Sequence, residues 1–171
     1  SIIDWCEPNY VINEYICEFF NTISVLPMLY VSYLCRDNFI YSFIVFNISL
    51  GTAIFHSTLN LFGQLFDEIS IFLFICYLFR INFFNMVILS FFILIFPSLN
   101  RFILISFGGI ILVAWKYNLI SVTHTYSKSH VIFWCLFASF FWVIDMICIN
   151  GYHFHWIWHI IDAKILYDCR K

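Results

Sequence analysis

The chain is 171 residues long, 63% hydrophobic and only 11% charged, with a formal net charge of −2. Soluble domains carry about 45–50% apolar and about 25% charged residues, so this composition excludes a water-soluble fold and places most of the chain in lipid. The slight acidity also excludes the basic footprint of a nucleic-acid binder. At roughly 20 residues per transmembrane helix, seven spans and short loops consume the chain and leave no room for a second domain.

Residues 1–13 read as an acidic, loop-like arm: Asp4, Glu7, Pro8, Asn9 and Asn13 interrupt any apolar run. No basic stretch precedes an apolar one here, so no cleavable signal peptide is expected; the missing initiator Met points to a short leader ahead of Ser1. Spans are expected at about 14–34, 39–61, 66–79, 83–96, 102–117, 131–149 and 152–166. Gly63-Gln64 is read as the turn between the second and third, Pro97 to Arg101 as the next, and Asn150-Gly151 as the turn into the seventh. The fourth is the shortest at about 14 residues, about 21 Å of rise against a core of about 30 Å. The expectation is one all-α membrane domain over residues 1–171, with seven transmembrane helices.

Basic residues orient such a bundle, because cytoplasmic loops collect Lys and Arg. Arg36, Arg80, Lys116, Lys128, Arg170 and Lys171 fall at odd-numbered connections and the C-terminus, and only Arg101 at an even-numbered one. The N-terminus is therefore expected in a lumen or outside, and the C-terminus in the cytoplasm. The seven cysteines lack any Cys-x-x-Cys spacing, which argues against a thiolate zinc site.

The last apolar segment opens Gly151-Tyr-His-Phe-His-Trp-Ile-Trp-His159. His155 and His159 are four apart, so a helix puts them on one face a turn apart. Such a pair suits Zn²⁺, or equally a pair of hydrogen-bonded structural imidazoles in an aromatic interface belt. The position of the other ionisable groups favours the metal. His56, Asp67, Glu68, Asp145, His155 and His159 all fall at the lumenal end of their spans, and intramembrane ionisable residues mark functional sites. His56 supplies a third imidazole, with the Thr52 hydroxyl a turn earlier on its face. Three histidines and an open fourth position are the pattern of a catalytic zinc, which lowers the pKa of water to about 7. Asp67 then suits a general base, while Glu68 points elsewhere on a helix and reads as structural. His153 lies on another face, at the interface; His124 and His130 read as incidental loop residues on the cytoplasmic side. Asp4, Glu7, Asn9 and Glu18 make an oxygen-rich group without a nearby cation, open either to Ca²⁺ or to being a solvated acidic tail.

The runs Asp4-Trp-Cys-Glu-Pro-Asn-Tyr10, Glu18-Phe-Phe-Asn-Thr22, Phe55-His-Ser-Thr-Leu59, Gln64-Leu-Phe-Asp-Glu68 and His155-Trp-Ile-Trp-His159 together resemble the alkaline ceramidases, in order, from residue 1 to about 165. The resemblance implies a seven-helix zinc amidase that cleaves ceramide to a sphingoid base and a fatty acid in the endoplasmic reticulum or Golgi membrane. It assigns zinc to His56, His155 and His159, and calcium to Asp4, the Trp5 carbonyl, Glu7, Asn9 and Glu18. Asp67 takes the acid–base role, and Thr52 stands where the family usually has Ser. The family also pairs the cysteine of its Asp-Trp-Cys-Glu run with one near the start of the last lumenal loop. That implies a disulfide between Cys6 and Cys148, both on the oxidising side. Ceramide and the bilayer are the expected partners, and no obligate protein partner is evident. The alternatives are a hydrolase of another lipid, such as one that remodels lipid anchors, a seven-helix receptor with structural zinc, and a reduced inactive relative that keeps its metals for stability.

Overall fold

A computed structural model describes residues 1, 3–78, 80–81, 87–88, 90–91, 94–95 and 128–170. The described residues contain helices and no strand; one isolated bridge joins Asn13 to Ile16. The helices are α1 (Phe19–Ile23), α2 (Leu26–Leu34), α3 (Phe39–Thr58), α4 (Leu61–Leu78), α5 (Lys128–Ile147) and α6 (His155–Asp168), with a 3₁₀ turn at Ile149–Gly151 before α6. Three of them, α3, α4 and α5 from Ser129 onward, are long and apolar enough to cross a membrane. The fourth and fifth expected spans, with Arg101, Lys116 and His124, lie almost wholly outside the described residues.

Three expectations are corrected. The first span is not one helix over 14–34. Residues 14–18 are held as irregular chain because the amides of Cys17 and Glu18 donate to the Ser57 and His56 carbonyls at the end of α3, 3.0 Å each. Those carbonyls are among the four that every helix leaves unpaired at its C-terminus. The helix that follows breaks again at Ser24-Val25, where Pro27, with no N–H to give, opens α2. The second correction concerns Gly63-Gln64, which is not a turn. The chain reverses at Leu59, in the left-handed region (φ 45°), and Asn60, whose side-chain oxygen accepts from the Gly63 amide at 2.6 Å. This starts α4 five residues earlier than expected and brings Gly63 against α3, where an added Cβ would sit 2.8 Å from the Phe55 Cα. Third, His130 is not a loop residue: it lies in the first turn of α5 and its Nε2 is 3.0 Å from Asp168 Oδ2.

The main buried cluster joins Val31 of α2, Tyr41 and Val45 of α3, Phe74 of α4, Val131 of α5 and Leu166 of α6. It occupies the end of the bundle where α5 begins and α6 finishes, with the Tyr41 hydroxyl donating to the Leu166 carbonyl. The outer faces are apolar too: Phe133, Leu136 and Phe140 recur at helical spacing on α5 and are all exposed, as lipid-facing side chains must be. A smaller cluster at the opposite end contains Ile3, Trp5 and Phe55, with Leu59 and Trp142 packed on it. The ionisable residues gather beside this second cluster.

Candidate metal centre

His56 stands one turn from the end of α3, and His155 and His159 occupy the first two turns of α6. All three are buried, and each offers a ligand atom within 4.8 Å of the others. Each outlying ring nitrogen that can be traced is held by a polar group from the α1 region. His56 Nδ1 donates to Glu18 Oε2 at 2.5 Å, which leaves its Nε2 lone pair free. His159 Nδ1 lies 2.7 Å from Ser24 Oγ, which is also 2.7 Å from the Asn21 carbonyl; with the Ser24 proton on that carbonyl, Nδ1 donates and Nε2 is left as the acceptor. His155 is fixed by stacking, with the Trp5 ring 3.7 Å away and 22° from parallel. His155 Nδ1 and His159 Nε2 are buried and have no hydrogen-bond partner among the described residues. Buried polar atoms are ordinarily paired, so convergent imidazoles with two orphaned nitrogens and oriented outer partners are a donor set that suits zinc.

Beside the histidines α3 and α4 come into backbone contact. A Cβ on Gly51 would lie 2.9 Å from both Cα and N of Asp67, so only glycine permits this approach. The contact sets Asp67 Oδ1 at 2.5 Å from the Thr52 hydroxyl, which also lies 2.8 Å from the Ile48 carbonyl. One hydroxyl proton can serve only one of these acceptors at a time. Asp67 and His155 line a single cavity of about 250 Å³, walled by Ile71, Ile75, Trp142 and Trp158 among others. Glu68 lines it as well, with Gln64 Nε2 donating to its Oε1 at 3.0 Å. The expectation that Glu68 faces away is thus corrected. It shares the chamber with Asp67 because a cavity bounded by α4 and its neighbours is wide enough to admit adjacent positions of the helix.

The acidic arm is engaged residue by residue. Glu7 reaches the start of α1, its Oε1 accepting from Phe20 N at 2.6 Å and its Oε2 from Asn21 N at 2.8 Å. Burial pushes the Glu7 carboxyl above its usual range, against the pull of those two amides. Glu18 accepts from Trp5 N at 3.1 Å and Asn21 Nδ2 at 3.0 Å besides His56. Asn9 Nδ2 donates to Asp4 Oδ1 at 3.2 Å. The buried Asn21 Oδ1 has no partner among the described residues. Glu7, Glu18 and that orphaned oxygen lie together, an oxygen-rich set whose charge a hard cation such as calcium would neutralise. Cys6 and Cys148 are joined as a disulfide with Cα atoms 5.2 Å apart.

Two further polar residues, neither given a role of its own by the sequence reading, belong to this region. Ser24 carried no signal, since a lone serine in an apolar helix is unremarkable. Asp145 carried one, a carboxylate inside an apolar span, and the structure places it under the start of α6. Its Oδ1 accepts from the amides of Phe154 and His155, and its Oδ2 from Cys6 N.

Three buried, convergent histidines, a nearby Thr–Asp pair and an apolar cavity among apolar helices make a candidate metal site open to an apolar ligand. The sequence matches the ceramidase family over residues 1–135, and the chain belongs to that family. It is 37% identical to the alkaline ceramidase of Drosophila melanogaster over 83 residues, 42% of this chain and 29% of that protein. Against human alkaline ceramidase 1 it is 36% identical over 83 residues, 42% of this chain and 31% of the relative. An alkaline ceramidase of Saccharomyces cerevisiae is 37% identical over 79 residues, 40% of this chain and 25% of its own length. The matched stretch thus spans less than a third of each of these relatives.

Proposed function

We propose that this chain is a zinc-dependent ceramidase, hydrolysing the amide bond of ceramide to a sphingoid base and a free fatty acid. The observation that carries the reading is the opening of one apolar, aromatic-walled cavity onto both Asp67 and His155. An amide lipid needs an apolar chamber for its chains and a polar end for its carbonyl, and this cavity offers both. His56, His155 and His159 would hold Zn²⁺, which supplies Lewis acidity towards a carbonyl and towards water. Asp67 accepts a proton from the attacking water and returns it to the leaving amine nitrogen. The Thr52 hydroxyl aims that carboxylate, and would stabilise the developing oxyanion only by turning its one proton away from Asp67. Glu18, Ser24 and Trp5 orient the three imidazoles. Asp4, the Trp5 carbonyl, Glu7, Asn9 and Glu18 would hold Ca²⁺ and brace the arm against α1.

The same reading carries the topology. Seven spans in one domain over residues 1–171, the N-terminus lumenal and the C-terminus cytoplasmic, put the three clustered histidines at the lumenal surface and most of the loop Lys and Arg residues at the other. The endoplasmic reticulum or Golgi membrane supplies both ceramide and an oxidising lumen for Cys6–Cys148. Ceramide reaches the cavity laterally from the bilayer. The test is direct: purified protein in lipid nanodiscs is given a ceramide panel, with and without a chelator. Release of fatty acid that stops on chelation and returns with zinc supports the reading. A zinc-loaded protein that releases none overturns it and leaves a structural metal.

A further inference from the structure

We propose that Asp145 is the positioning residue of the metal centre, a clasp that fixes His155 and ties its position to the N-terminal arm. The inference rests on the zinc reading above and goes beyond its assigned ligands. The helix α6 begins at His155, and its N-cap residue Phe154 makes no side-chain cap of its own. The first amides of a helix are unpaired and must find acceptors. Here the acceptor comes from a neighbouring helix. Asp145, near the end of α5 and 1% exposed, takes the amides of Phe154 and His155 on Oδ1, the latter at 3.0 Å. A carboxylate at this end of a helix is also favoured by the helix dipole.

The other oxygen of the same carboxylate accepts from Cys6 N at 3.1 Å, across 139 residues of sequence. Cys6 follows Trp5, whose ring is the one stacked on His155. One side chain therefore sets the backbone on both sides of a stacked pair whose second member is a metal ligand. The Cys6–Cys148 bond anchors the arm three residues further along the α5 end. His56 and His159 have outer partners on their ring nitrogens, Glu18 and Ser24. Among the described residues no side-chain hydrogen bond holds the His155 ring, whose orphaned Nδ1 is a candidate ligand atom, so the ring is oriented by its backbone and by the Trp5 stack, and Asp145 holds the backbone on both sides of that stack.

Outer groups that orient metal ligands change affinity by about 10–100-fold when removed. Zinc affinity is read by chelator competition on the intact chain in detergent, for D145A, D145N and, as control, D168N. Asp168 is a buried carboxylate at the far end of α6, bonded to Lys164 and His130. The expected result is zinc binding weakened about tenfold or more in D145A. D145N falls between D145A and wild type, because its amide oxygen still serves Phe154 and His155 while its nitrogen opposes Cys6 N. D168N lowers the Tm without changing zinc affinity. If D145A does not fold, D145N is read against D168N alone. Zinc affinity in D145N within twofold of wild type, or equal weakening in D168N, overturns the inference. If wild type takes up no zinc, the metal reading has failed. Amide exchange at residue 6 in the metal-free protein then decides the clasp by itself: faster exchange in D145N, whose nitrogen no longer accepts from Cys6 N, supports it, and unchanged exchange overturns it.

Discussion

Gly51→Ala tests whether the backbone contact between α3 and α4 sets the reacting geometry. The new Cβ would meet Asp67 Cα and N at 2.9 Å and the Phe66 carbonyl carbon at 3.2 Å, all backbone atoms that cannot rotate away. Ordinary contact begins at 3.4 Å, so the helices must part by about 0.5 Å at this point. Overpacking of this kind costs about 1–3 kcal/mol, and the better helix propensity of Ala returns about 1 kcal/mol. The net loss of stability is thus about 0–2 kcal/mol and the protein stays folded. The catalytic effect is larger than that loss suggests. Thr52 follows Gly51 directly, and its 2.5 Å bond to Asp67 would stretch by about the same 0.5 Å. A misplacement of about 1 Å costs up to about 100-fold in rate, so turnover of ceramide should fall by about tenfold with KM little changed. Gly151→Ala is the control: its φ of +73° makes Ala strained, but nothing lies within 4 Å of the added carbon. It should lose about 1–2 kcal/mol of stability and keep its turnover per folded molecule. The assay is kcat and KM in nanodiscs beside a thermal melt. Wild-type turnover in Gly51→Ala, with a raised Tm, would mean that α3 and α4 do not meet there and would refute the argument.

Other outcomes follow from the same geometry. His155→Ala should lose bound zinc by elemental analysis together with hydrolysis, whereas His130→Ala, at the opposite end of the bundle, should keep its zinc. Calcium should raise the Tm of wild type, by about 2.7 kcal/mol of stability at a hundredfold excess over Kd; the response should vanish in Glu7→Gln, and a Tm indifferent to calcium removes the ion from the arm. Peptide mapping without reductant should recover Cys6 linked to Cys148. Breaking that 142-residue closure should cost up to about 5 kcal/mol on the loop-entropy account.

The sequence was most legible where periodicity and spacing decide structure. Long apolar runs located α3, α4 and α5, and the four-residue interval of His155 and His159 placed both rings on one face of α6. It was least legible where a distant partner overrides local propensity. Residues 14–18 look as helical as the apolar stretch they precede, and they stay irregular only because α3 offers carbonyls to their amides. Gly63 looks like a turn until α3 is known to lie 2.8 Å from where its side chain would start. Asp145 is visible as a costly intramembrane charge, but nothing in the chain says that the amides it serves come from residues 6, 154 and 155. Contacts of that range are written in the fold alone.

The clasp and the disulfide also bear on the order of assembly. Synthesis delivers the arm before α5 and α6, yet Cys6 pairs with Cys148 and Asp145, and the Trp5 ring stacks on His155. Glu7, Cys17 and Glu18 can dock on α1 and α3 early, but the Cys6 contacts and the Trp5 stack on His155 wait for the later helices. The three-histidine cluster, like the main buried cluster that includes Leu166, is consequently completed only when α6 joins α3, and its closure reports that both ends of the bundle have arrived. A chain that stalls before α5 leaves the Cys6 thiol without Cys148 and the Cys6 amide without Asp145. Those are surfaces that thiol exchange and quality control can recognise. A completed chain hides both in one step.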